Sequence, residues 1–113
     1  MQKECEAAPQ EQKKTHYPWW GYIKAVIRAY PGRMGADLSG VAKREFEAVQ
    51  AAIESTERMG GGQNRLKVIR LVHFNRTHQL PGAALAVPCD RATAARWQRR
   101  FFEEVARNRD LLD

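Results

Sequence analysis

Leu80-Pro-Gly-Ala-Ala-Leu-Ala-Val-Pro-Cys-Asp-Arg-Ala-Thr-Ala-Ala-Arg-Trp-Gln-Arg-Arg100 runs from a short apolar segment through a break at Pro88 into a long segment that is both basic and aromatic. The spacing predicts a helix-turn-helix. In that motif a short first helix crosses the second at a steep angle, so a few positions must be small or apolar. With Leu80 as position one of the usual template, Ala84 takes the close-approach position. The buried positions fall on Ala83, Val87, Cys89, Ala94 and Trp97, all apolar. Pro88 stands where glycine is usual. It cannot continue the first helix and it biases Val87 out of helical geometry, so it still makes a break. Asp90 sits where an N-cap belongs.

The second helix should start near Asp90 and run to about Asn108, with Ala94, Trp97, Phe101 and Val105 as its core stripe and Phe102 beside it. Arg91, Ala92, Ala95, Arg96 and Arg99 then project from its N-terminal half, on the side that would enter a major groove. Arginine there can pair bidentately with guanine, and alanine can touch a thymine methyl. Arg100 is turned further round and suits a phosphate, as does Thr93 near the helix start. Solvated arginine faces pair Arg with Glu one turn away, but Arg91 to Arg100 holds no acid. The expected partner is therefore double-stranded DNA. Arg76, Thr77, His78 and Gln79 precede the first helix, where free amides and side-chain donors can hold a phosphate; simple turn chemistry is the equal alternative.

Charge agrees with this division. The chain of 113 residues has a formal net charge of +6 and a pI near 9.7. Residues 1 to 64 hold nine Lys/Arg against eight Asp/Glu, and residues 65 to 113 hold ten against five, so the surplus lies with the DNA reader. Cys5 and Cys89 lack metal-ligand spacing and histidine company, so neither a disulfide nor a zinc site is expected. His73 and His78 read as one packed and one surface histidine. No pair of groups stands at catalytic spacing, so no enzyme activity and no cofactor are expected. With no signal-like segment and no long apolar run, the expected location is cytoplasmic, away from the membrane.

Outward from the reader, the organisation is all-α: a flexible tail over 1–16, a helical pair over 17–62 and the helix-turn-helix region over 63–113, in one compact domain. Pro18 suits the first position of a helix whose face is Trp20, Ile23, Ile27 and Tyr30, and Pro31-Gly32 should stop it. Two tryptophans there could stack on single-stranded nucleic acid, but core packing is the stronger reading. Ser39 or Asp37 would cap a second helix over Val41–Met59 with Ala42, Phe46, Val49 and Ile53 inward and a charge-balanced solvated face that includes Glu45. Gly60-Gly61-Gly62 reads as a flexible link. Asn64 would cap a third helix from Arg65 to about Asn75, with a strand over Val68–Phe74 as the alternative. Leu111-Leu112 should fold back on the core.

Tyr17-Pro-Trp-Trp-Gly-Tyr-Ile-Lys with Ile27-Arg-Ala-Tyr-Pro31, Arg65-Leu-Lys-Val-Ile-Arg-Leu-Val72, Thr77-His-Gln-Leu-Pro-Gly-Ala-Ala-Leu85 and Thr93-Ala-Ala-Arg-Trp97 before Phe101-Phe-Glu-Glu-Val-Ala106 together resemble small prophage-encoded proteins of Clostridia. These are more distantly similar to the ArpU and RinA late-gene regulators of Gram-positive phages. The C-terminal part of those regulators resembles the promoter-recognition helix-turn-helix of bacterial sigma factors. The resemblance covers most of residues 17–113 and implies phage transcription control, with no defined site. The chain departs from the group in a short linker between Tyr30 and Val41 and in Leu80-Pro-Gly, where a threonine-rich helix start is common. A sequence-specific regulator, with a homodimer or RNA polymerase as further partner, is the leading expectation. A phage terminase small subunit is a second, and a protein-interaction adaptor using Trp19, Trp20 or Phe102 is a third.

Overall fold

Apolar residues recur at helical spacing along the chain, and each such stretch folds as a helix. The computed structural model describes residues 17–112; the tail expected over 1–16, Cys5 included, lies outside them. Among the described residues the elements are α1 (Trp20–Arg33), α2 (Gly40–Glu57), α3 (Gly62–Ile69) continuing as a π-helical segment (Arg70–Phe74), α4 (Leu80–Ala86) and α5 (Arg91–Asn108). No strand occurs among them, so the chain is all-α.

Several boundaries differ from the sequence reading, each for a local reason. Residues 17–19 form a turn closed by Trp20 N donating to Tyr17 O, which places Pro18 before the helix. Pro31 does not stop α1, which runs on to Arg33. A proline forfeits only one ladder bond, and here it falls in the last turn. Tyr30 just before it is anchored by rings on either side, Phe46 at 4.8 Å and Phe74 at 5.4 Å. The third helix begins at Gly62, with Gly61 at φ +70° as its cap, which moves Asn64 inside it. The strand alternative at 68–74 fails because Val68, Ile69, Val72 and His73 are all buried at helical spacing.

The glycine run is a close approach. A β-carbon on Gly62 would lie 2.5 Å from Thr56 O and 2.8 Å from Glu57 O, so α3 starts directly against the last carbonyls of α2. Only a residue without a side chain fits there.

Glu45, read from sequence as part of a solvated face, is buried. Burial pushes its carboxyl up, but the Tyr22 hydroxyl at 2.6 Å and the Arg33 guanidinium at 2.8 Å outweigh this and hold it below its usual range. The trio ties α1 to α2. At the other end, Leu112 packs on the core and Leu111 stays exposed.

Two apolar clusters result. The larger joins α1, α2, α3 and the C-terminal half of α5 through Ile23, Ile27, Val49, Ile69, Phe101, Phe102 and Val105. Full burial of such side chains contributes about 1.5–3 kcal/mol each. The smaller joins α3, its π-helical continuation, α4 and the start of α5 through Val68, Val72, Ala83, Ala84, Val87 and Ala94. α5 belongs to both, and its N-terminal half packs on the smaller cluster through Ala94 and Trp97.

His73 sits at the seam, 2 % exposed and 5.1 Å from the Phe102 ring. Burial, with Arg28 and Lys24 nearby, pushes its pKa down to about 4 against the hydrogen bond it donates to Gln98 Oε1, which favours the charged form. The folded value lies below the unfolded one. Its contribution is therefore present above pH ~6.5 and is lost as pH falls through that value toward 4. Urea melts at pH 7 and pH 5 should differ by about 2 kcal/mol. His73→Gln should flatten that difference, and an unchanged slope would reject the assignment.

Candidate nucleic-acid interface

α4 and α5 are joined by the turn at 87–90. Its geometry follows from Pro88. Lacking an N–H, Pro88 leaves the closing bond to Cys89, whose amide donates to Ala84 O at 3.0 Å, and Val87 leaves helical geometry as expected. Pro88 itself has φ +22°, in the range that favours glycine and that a pyrrolidine ring opposes.

Of the apolar set, Ala83, Ala84, Val87 and Ala94 are buried together. Cys89 and Trp97 pack against them and are partly buried. Phe101, expected in one core stripe and in the helix-turn-helix core with Ala94 and Trp97, is buried instead in the larger cluster, away from the α4 contact. Ala83 and Ala84 let α4 lie close on α5; a larger residue at Ala84 or Ala94 would part the helices.

Asp90 caps α5 as its position predicts. Its Oδ1 accepts from Thr93 N at 2.8 Å, and Thr93 holds the carboxyl below its ordinary value. Asp90→Ala should lower the melting temperature and speed amide exchange in the first turn of α5, whereas Asp90→Asn should preserve both. Equal behaviour of the two variants would show that the cap is not used.

At about 100° per residue, Ala92, Ala95, Arg96 and Arg99 fall within one stripe roughly 100° wide. Ala92, Arg96 and Arg99 are exposed and Ala95 is half-buried. Arg91 is exposed but turned about 90° from the stripe's centre, toward Gln98, so it is set apart from the other proposed readers. Arg96 Nη2 donates to Thr93 Oγ1 at 3.1 Å, so Thr93, expected at a phosphate, positions an arginine. Arg100 lies on the opposite flank, its guanidinium 3.3 Å from Glu104, which also takes Arg107 at 3.3 Å. An exposed pair at this spacing contributes only about 0.3–0.5 kcal/mol and can be exchanged for a phosphate.

The link at 76–79 differs from expectation. The amides of Thr77 and His78 both donate to Leu71 O, at 3.0 and 3.2 Å, so they are not free for an anion. This follows from the π-helical segment, whose wider turn leaves Leu71 O facing the link. The side chains of Arg76, exposed at φ +58°, and of Gln79 remain outward, while the Thr77 hydroxyl meets His78 Nδ1 at 2.9 Å.

One contributor had no sequence signal. Arg65 of α3 lies over the Trp97 ring at 5.7 Å, and a concavity of about 360 Å³ is lined by Arg65, Arg96, Trp97, Arg99, Arg100 and Glu103. Glu103, its one acid, is engaged by the Tyr17 hydroxyl at 3.0 Å. Four arginines from two helices thus share one surface. No cluster of metal-ligating side chains occurs among the described residues, and none of their helices is long and apolar enough to cross a membrane. No family model, no curated protein and no solved structure matches this chain.

Proposed function

We propose that the protein is a sequence-specific DNA-binding regulator that places α5 in the major groove, with α4 as its supporting helix. The observation that carries this reading is the stripe of Ala92, Ala95, Arg96 and Arg99 on a capped helix whose opposite side is locked into both clusters. Exposed guanidiniums on a rigid, capped helix are suited to bidentate contact with base edges. The stripe is flanked by further arginines, Arg65 and Arg100, as backbone-positioning contacts require. A role in prophage gene control, with RNA polymerase as partner or a homodimer as the binding unit, belongs to the same proposal. A single helix reading one half-site needs such support.

The adaptor reading loses one of its anchors, because Phe102 is 1 % exposed and packed against Trp20 at 4.3 Å. Trp20 and Trp19 continue that stack onto Tyr17, with ring separations of 6.0 and 4.4 Å, as part of the core margin.

Selection of genomic fragments by the purified protein tests the proposal: an enriched sequence at moderate salt is expected, and none would turn the reading toward the adaptor. Arg100→Ala should weaken binding to all duplexes alike and lower the salt slope by about one. A selective loss on one sequence would move Arg100 from phosphate to base.

A further inference from the structure

A cleft of about 250 Å³ opens between α1, the 76–79 link and the flank of α5. Its polar lining is Lys24, Arg28, His73, His78, Gln79 and Gln98, with no carboxylate among the lining residues. On the helical wheel of α1, Lys24 and Arg28 only add charge to the face away from Trp20, Ile23, Ile27 and Tyr30. The structure gives Arg28 a definite aim. Its Nε donates to His73 Nδ1 at 3.3 Å, and the far ring nitrogen of His73 meets Gln98 Oε1 at 2.7 Å. An arginine can only donate, so Nδ1 is the acceptor and the ring proton sits on Nε2, donated to Gln98. This chain runs from α1 through a buried imidazole to α5. It fixes the guanidinium by one nitrogen, and among the described residues Nη1 and Nη2 have no hydrogen-bond partner.

Among the described residues, this guanidinium, aimed by a neutral base and one helical turn from a lysine, has no acid beside it. Gln98 and Arg99 are neighbours on α5, so the cleft opens along the flank of the reading stripe opposite to Arg65 and Arg100. We propose that this cleft holds a phosphate of the DNA backbone beside the groove that α5 reads, with Arg28 and Lys24 as its cations and His73 and Gln98 as positioning residues. The proposal rests on the DNA-binding reading and adds to it that α1 forms part of the interface, so that the stripe is gripped on both sides.

The test is the salt dependence of binding to a selected duplex and to a scrambled one, for the parent protein, Lys24→Gln, Arg28→Gln and the double variant. Loss of one phosphate contact lowers the slope by about 0.9. The double variant should show that drop on both duplexes, with affinity several-fold lower and the ratio between duplexes unchanged. Lys24 is exposed and Lys24→Gln leaves the His73 chain intact, so it reads the site even where Arg28→Gln melts early. An unchanged slope in Lys24→Gln and the double variant, while the parent still discriminates, overturns the clamp and leaves the reading helix standing. A parent that binds no duplex overturns both. Inorganic phosphate is the second probe: saturation of the cleft by free phosphate without change in the DNA slope would assign it to a small anion and overturn the backbone contact.

Discussion

Replacing Arg96 and Arg99 together by alanine is expected to reduce the preference for the selected duplex over a scrambled one by roughly a hundredfold or more, with the melting temperature unchanged. Each good bidentate arginine–guanine pair is worth about 1–3 kcal/mol of discrimination, and every factor of ten corresponds to about 1.4 kcal/mol. Both side chains are exposed, and the hydrogen bond given up among the described residues is the 3.1 Å one from Arg96 to Thr93. Residual binding should resemble that of any basic protein, nonspecific and steeply salt-dependent. Titration of fluorescent duplexes at fixed salt measures the ratio. If discrimination survives in the double variant, the stripe is not the reader, and Arg91 on its neighbouring face becomes the next residue to test.

Gly62→Ala is expected to be the most damaging small substitution, destabilising by about 3 kcal/mol and lowering the melting temperature by roughly 10 °C or more. The added carbon would meet two backbone carbonyls of α2 at 2.5 and 2.8 Å, and neither can swing aside as a side chain could. Relief would require α3 to shift, and α3 carries Leu66 and Ile69 into the larger cluster and Val68 into the smaller. Gly60→Ala is the internal control, since its β-carbon would meet nothing within 4 Å and its backbone is not in the left-handed region. It should change stability by less than about 0.5 kcal/mol. Similar melting curves for the two variants would show that the helix junction is not held as described.

The contrast between those glycines shows where sequence stops being informative. Period and composition were enough for the helices and most of their inward faces: Ile23 and Ile27, Val49, Leu66 and Ile69, Ala94 and Val105 are all buried as their spacing predicts. The cap at Asp90 and the break after Val87 were also legible, because they depend on neighbours within a few residues. What was not legible depends on residues far apart in the chain. Gly62 is constrained by carbonyls of the preceding helix, Glu45 by Tyr22 and Arg33, and Thr77 and His78 by a carbonyl exposed in a π-helical turn that no local preference announces. Arg28 shows this most clearly. On a helical wheel it is a solvated charge, and only the distance to His73, 45 positions on, gives it a direction. At the candidate interface, sequence placed Arg96 and Arg99 on one stripe but had no means of adding Arg65, or of engaging Thr93 with Arg96.

The proposed function depends on α5 as a reader of sequence. The most direct measurement is the ratio of dissociation constants of the unmodified protein for its selected duplex and for a scrambled duplex at physiological salt. A specific regulator should give a ratio of about 10³ or more. A ratio near one, with both affinities at the level of general binding to a polyanion, would contradict it.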